Sequence, residues 1–270
     1  MKIGFIGAGN MGGAILQGAL EKAFLMPDEV MVYDISEDVQ KRWENSSVQI
    51  ASSNAELVQK CEWIVLAVKP VFLADVLNDI QPYLNENKKV ISIAAGWSIQ
   101  MLTDLMGESG AKLLRVMPNT PALVGEGLLA LCEETTLSAE DYVWSQKLFS
   151  TLGVVQIVPE RLIDAVIAVS GSSPAYVFMF IDAMADAAVK LGMPRQMAIS
   201  SAAQAVLGSA KMVLDTKLHP AVLKDQVCSP GGTTIEAVQV LEENGMRGAV
   251  MKAMCACAEK SKAMTNGSTK

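Results

Sequence analysis

Two kinds of residue in this sequence could do chemistry: small residues that bare backbone amides, and hydroxyl residues beside them. The first group is G-A-G-N-M-G at 7–12. Behind an apolar run and ahead of a helical one, this spacing suits a diphosphate. Gly7 allows a tight turn, Gly9 lets the phosphates approach the backbone, and Gly12 lets helix and strand pack closely. Ala8, Asn10 and Met11 complete the turn. The following helix offers free N–H groups and a positive dipole end to an anion. The second group is S-P-G-G-T-T at 229–234. Gly231 and Gly232 exceed what helix capping needs and bare consecutive amides suited to a carboxylate, with the hydroxyls of Ser229, Thr233 and Thr234 alongside. Thr233 with Glu236 also forms a capping-box pattern, so a well-capped helix is the plain alternative. A third stretch, S-G-S-S-P at 170–174, reads as a loop in which Ser173 caps a helix beginning at Pro174.

Conventional catalytic groups are scarce. His219 is the only histidine and reads as a loop residue in L-H-P. Lys211 could supply a catalytic amine, but its helical context reads as a solvated surface. Cys228 adjoins the 229–234 loop and lacks a histidine partner to make it a nucleophile. The five cysteines form no C-x-x-C pair and have no histidine near them, so no metal site is expected.

The elements that must position these residues divide the chain. Short apolar strands are predicted at 2–7, 30–34, 63–68, 89–94 and 113–117, with helical patterns at 10–22, 54–60, 70–81 and 98–106. Such alternation predicts a parallel sheet covered on both faces, an α/β fold of the doubly wound Rossmann type. Runs at 127–132 and 154–158 extend it, around a helix opened by S-A-E-D at 138–141. Ligands in such sheets sit beyond the carboxyl ends of the strands. Those ends carry Asp34 with Ser36 nearby, Val68-Lys69-Pro70, Ala94-Ala95-Gly96, and Asn119 within M-P-N-T-P. Asn54 reads as a helix N-cap that could also reach a cofactor. Asp34 follows Gly12 by 22 residues, near the offset of about 20 at which an acid binds ribose hydroxyls. Read strictly, this favours NADH, although Ser36, Lys41 and Arg42 could soften the rejection of a phosphate.

Beyond Pro159 the strand-like runs stop, and helices are expected at 161–169, 174–191, 194–215, 219–227, 233–243 and 246–264. The reading is two domains, 1–160 for the dinucleotide and an all-helical 161–270 for substrate and dimerisation, with a polar tail at 265–270. In 174–191 the charges Asp182, Asp186 and Lys190 form one narrow stripe, and a helix apolar nearly all round is buried. That predicts a homodimer. Burial against the first domain is the alternative.

The chain has 270 residues, 51% of them apolar, and a formal net charge of −7. No basic stripe suggests a nucleic acid. Glycines break the apolar start of the chain, and Gly171 and Pro174 interrupt the uncharged run at 165–181, so neither a signal peptide nor a membrane span is expected. An odd cysteine count with no disulfide framework suits a cytoplasmic protein.

Taken together, K-I-G-F-I-G-A-G-N-M-G at the start, V-K-P, A-A-G, R-V-M-P-N-T-P, S-G-S-S-P-A-Y and C-S-P-G-G-T-T-I-E-A resemble the pyrroline-5-carboxylate reductase family, in order and over nearly the whole chain. The resemblance implies a Rossmann domain, a helical dimerisation domain often built into larger rings such as a decamer, and reduction of L-1-pyrroline-5-carboxylate by NADPH or NADH to L-proline. It implies cofactor contacts from the glycine loop, Asn54, Val68, Lys69, Ala94 to Gly96 and Asn119. It implies substrate contacts from Ser229, Gly231, Gly232, Thr233 and Thr234. For the catalytic role we expect the Thr234 hydroxyl to hydrogen-bond the ring nitrogen as it becomes an amine. Family members commonly use NADPH, which Asp34 fits poorly. A hydroxy-acid dehydrogenase of similar plan and a non-catalytic dinucleotide sensor are the competing readings.

Overall fold

In the computed structural model, residues 2–265 and Gly267 are described. The polar tail lies mostly outside them. The elements run β1 (Ile3–Ile6), α1 (Asn10–Glu21), β2 (Val30–Tyr33), α2 (Glu37–Glu44), β3 (Gln49–Ile50), α3 (Asn54–Lys60), β4 (Trp63–Leu66), α4 (Leu73–Ile80), β5 (Lys89–Ser92), α5 (Ile99–Met106), β6 (Lys112–Met117), β7 (Gly127–Cys132), α6 (Ala139–Ser150) and β8 (Gly153–Val158). Then follow α7 (Ile163–Val166), a π turn (Ile167–Gly171), α8 (Ser173–Lys190), α9 (Arg195–Thr216), α10 (Pro220–Val227), α11 (Thr233–Glu243) and α12 (Met246–Thr265).

The strands form one sheet in the order β3-β2-β1-β4-β5-β6-β7-β8. Pairing is parallel except where β7 meets β6. The order reverses between β1 and β4, where a doubly wound sheet opens its ligand crevice. Alternate residues feed two cores, as the two-residue period of a strand demands. Ile3, Phe5, Val30, Val32, Trp63 and Val65 pack with Ile15 and Leu16 of α1 and Phe149 of α6. Ile6, Met31, Ile64 and Leu66 pack with Leu57 of α3, Leu77 of α4 and Leu102 of α5. Truncating one such side chain, as in Ile15→Ala, costs about 2–5 kcal/mol.

Two elements escape sequence reading. The α2 segment, E-D-V-Q-K-R-W-E, carries one buried residue, Trp43, and β3 has two residues, too few to show a period.

Contacts divide the chain into two compact units: residues to Gly171 with those from Cys257 onward, and Ser172–Ala256. The segment after Pro159 therefore packs with the sheet before the second unit starts. Arg115 of β6, 4% exposed, donates from Nη1 to Glu160 Oε1 at 2.6 Å, and the Ile99 amide donates to the same oxygen. The chain end returns to this unit as well: Ser261 Oγ donates to Asp164 Oδ1 at 2.6 Å.

In the second unit, α8 and α9 pack on each other but bury little in one chain. Phe178 is 65% exposed and Leu214 is 74% exposed. The stripe residue Asp186 pairs with Arg195 at 2.6 Å. Glu160–Lys190 and Arg195–Thr216 are long and apolar enough to cross a membrane by length and composition. The interruption expected at Gly171 and Pro174 is confined to Ser172, where the π turn ends at Gly171 and α8 starts again at Ser173.

Candidate functional site

At the crevice, Gly7 adopts φ +87, a region that side chains resist, and a Cβ there would come within 2.8 Å of the Ala67 carbonyl. A Cβ on Gly12 would come within 2.2 Å of the Gly7 carbonyl. These two positions are fixed by packing alone. Gly9 is different: a Cβ there would meet nothing within 4 Å. It is the N-cap of the twelve-residue α1, with no side-chain cap and no acidic residue in the first turn. Open backbone at an uncapped, uncontested helix N-terminus fits a dinucleotide's diphosphate. Asn10 is exposed and Met11 half-buried beside it.

The turn is held from both sides. The Ala8 amide donates to Asp34 Oδ2 at 2.9 Å. The Ala8 carbonyl accepts from Arg42 Nη2 at 2.7 Å and from Trp43 Nε1 at 3.1 Å. The other carboxylate oxygen of Asp34 accepts from the Ser36 amide at 3.0 Å. Asp34 thus stands beside the turn, and Ser36 is bonded to Asp34.

The loops after β4 and β5 are tied together, since Trp97 Nε1 donates to the Pro70 carbonyl at 3.0 Å. Lys69 is exposed, Val68 packs against the second core, and Ala94 is buried with Ala95 partly open. Gly96 has φ +77 and lies against Met264 of the returning chain end, a neighbour that no local pattern announces.

Asn54 and Asn119 have work inside the protein. Ser53, not Asn54, is the N-cap of α3, its Oγ accepting from the Glu56 amide at 3.1 Å. In S-S-N, three candidate caps adjoin and spacing does not choose among them. Asn54 Nδ2 donates to Asp79 Oδ2 at 2.9 Å, while its buried Oδ1 has no partner among the described residues. Asn119, 8% exposed, donates from Nδ2 to the Ser170 carbonyl at 3.0 Å and accepts from the Leu128 amide at 2.9 Å. The reason lies in Pro174: without an N–H it cannot bond the carbonyl four residues back, Ser170, and Asn119 satisfies that orphan. The S-G-S-S-P stretch is accordingly helical rather than a loop. Ser172 takes the N-cap position expected of Ser173, and Pro174 is the second helical residue.

In the second unit, Gly231 adopts φ +67. The Gly232 amide donates to the Ser229 carbonyl at 3.0 Å, so one of the four amides at 231–234 is spent on the turn. Gly232, not Thr233, is the N-cap of α11, and the capping box is not formed. Gly231 and Thr233 are exposed, Thr234 is half-buried, and Ser229 is exposed before the turn. Among the described residues no cluster could hold a metal ion. His219 Nδ1 accepts from the Ala221 amide at 3.2 Å as the N-cap of α10, and Lys211 pairs with Asp215 at 2.7 Å on α9. Burial pushes the Cys61 and Cys132 thiols up to about 11 and about 12. Neither suits a nucleophile.

A dinucleotide turn on a reversing parallel sheet, followed by a helical unit with a glycine-rich turn of its own, defines a two-part nicotinamide-dependent oxidoreductase. The comparisons carry this further. Residues 2–96 match a family model described as NADP oxidoreductase coenzyme F420-dependent, and 160–264 match pyrroline-5-carboxylate reductase dimerisation. Pyrroline-5-carboxylate reductase of Escherichia coli (strain K12) is 49% identical over 265 residues, covering 98% of each chain. That of Methanosarcina acetivorans is 42% identical, covering 97% of each. The crystal structure of the Plasmodium falciparum pyrroline carboxylate reductase with NADP bound superposes with a TM-score of 0.89 at 37% identity, covering 98% of each chain. The chain belongs to the pyrroline-5-carboxylate reductase family.

Proposed function

We propose that this chain reduces the imine of L-1-pyrroline-5-carboxylate to L-proline with NAD(P)H, the last step of proline biosynthesis. The observation that carries the reading is the exposed turn opening α11, with Gly231 at φ +67, in a chain that also holds a vacant-capped dinucleotide turn. Family membership over nearly the whole chain supports it.

A protonated imine is already electrophilic, so the task left to the protein is positioning. When bound, the reduced nicotinamide supplies the hydride. We assign the diphosphate to the turn from Gly7 to Gly12 and α1, with Asp34 and Ser36 beside the adenosine ribose. Val68, Lys69 and Pro70, together with Ala94, Ala95 and Gly96, bound the rest of the dinucleotide. Asn54 and Asn119 serve by holding α3 and the M-P-N-T-P loop in place. The amides of Thr233 and Thr234 receive the substrate carboxylate at the N-terminus of the eleven-residue α11, framed by Ser229, Gly231 and Gly232. The Thr234 hydroxyl hydrogen-bonds the ring nitrogen as it becomes an amine.

The open apolar faces of α8 and α9 support a homodimer, with dimers able to build a larger ring such as a decamer. On this reading those faces meet protein and not lipid or nucleic acid. An odd number of cysteines with no disulfide framework supports a reducing, cytoplasmic setting. We assign dinucleotide binding to 1–160 and substrate binding and dimerisation to 161–270. Ion-paired Lys211 gives the hydroxy-acid alternative no evident catalytic amine.

The test is turnover of racemic pyrroline-5-carboxylate with NADPH and with NADH. Cofactor oxidation matched by formation of proline is expected. A folded protein that binds either cofactor and turns over neither would reject the reading in favour of another substrate or a sensor.

A further inference from the structure

We propose that Asp34 makes this chain prefer NADH over NADPH, by holding a carboxylate seat for the unmodified ribose at the end of β2. The inference rests on the dinucleotide reading above. Family membership leaves the choice open, since a relative of the same fold was solved with NADP.

The geometry around Asp34 decides it. Its Oδ2 accepts from the Ala8 amide at 2.9 Å and its Oδ1 from the Ser36 amide at 3.0 Å. Its own carbonyl accepts from Gln40 Nε2 at 2.5 Å. Two backbone donors therefore fix the carboxylate, and swinging it aside would break the bond that holds the glycine turn. A carboxylate has about four lone-pair sites. Two are used, and two remain to accept from the two hydroxyls of a ribose. A 2′-phosphate offers oxygens without a matching donor and brings a charge of about −1.5 to −2 against the carboxylate.

The nearby cations are committed elsewhere. Arg42 donates to the Ala8 carbonyl under the turn and lies 5.1 Å from the Trp43 ring centroid. Lys41 pairs with Glu37 at 3.5 Å on the exposed side of α2. Ser36 adds one neutral hydroxyl, which cannot balance a phosphate. Next to Asp34, Ile35 is 84% exposed, which leaves an apolar side chain open beside the proposed ribose seat.

The test is calorimetric titration of the whole protein with ADP-ribose and with 2′-phospho-ADP-ribose, which needs no imine and no turnover. The wild type is expected to bind ADP-ribose tighter by about tenfold or more, the scale of one lost charged hydrogen bond. Asp34→Ser should close or reverse that gap. Asp34→Asn keeps an acceptor for the Ala8 amide and loses the charge, so it should narrow the gap even if the serine variant loosens the turn. Equal or tighter binding of the phosphorylated fragment by the wild type overturns the proposal. So does a gap unchanged in the asparagine variant. Binding of neither fragment by the folded wild type would overturn the dinucleotide reading itself.

Discussion

The two glycine turns of this protein solve the same problem in opposite ways. The turn at 7–12 is enclosed at its two ends: Gly7 and Gly12 face backbone within 3 Å, and Asp34, Arg42 and Trp43 hold Ala8 on both sides. The turn at 229–234 is exposed and held by a single internal amide bond, among helices whose apolar faces stay open. A dinucleotide site can thus be complete within one chain. The turn at 229–234, proposed to take the substrate, sits in a unit that leaves Phe178 and Leu214 largely exposed, and such apolar surface suits a second copy.

The two turns differ most at Gly12. Gly12→Ala drives a Cβ into the Gly7 carbonyl, and a loss of about 3 kcal/mol of stability with no measurable cofactor binding is expected in denaturation and fluorescence titration. Thr234→Ala is expected to lower kcat/KM about 100-fold in steady-state kinetics, leaving cofactor affinity unchanged. A parallel fall in cofactor affinity would erase the division of labour. Gly9→Ala sharpens the contrast with Gly12, because its Cβ meets only open space. Stability should stay within about 0.5 kcal/mol while cofactor affinity falls. Gly231→Ala places a side chain at φ +67 and should cost about 1 kcal/mol, read as a raised KM for the imine.

The smallest effect is alkaline. Both thiols are raised by burial, Cys61 to about 11 and Cys132 to about 12, from an ordinary 9.0. Their folded-state values exceed their unfolded ones, so the stability they contribute is full below pH 9 and is lost as pH rises through 11 to 12. Urea midpoints should fall across that window, and Cys132→Val should flatten the fall.

Much of this was legible in the sequence where the cause is local. The buried strands, α1 and the offset of Asp34 follow from period and spacing. Cap positions slipped by one residue in S-S-N and at 172–174, because adjacent residues compete for one role. The π turn was not legible: its stability depends on Asn119 reaching the carbonyl that Pro174 leaves orphaned, 51 residues away. The return of Met264 onto Gly96 and the pinning of Ala8 by Arg42 are likewise tertiary. Neither α2 nor β3 had an apolar period to read.

If the open faces of α8 and α9 are needed to hold the proposed substrate turn, cofactor binding belongs to one chain and reduction of the imine to the assembled pair. Phe178→Asp puts a charge on the open face of α8. Sedimentation of this variant, with NADH titration and pyrroline-5-carboxylate turnover on the same sample, separates the two activities. A monomer that binds NADH within about twofold of the wild type and has lost about 100-fold or more in kcat/KM is the predicted result. A monomer with full turnover, or one that loses cofactor affinity in step with activity, would contradict it.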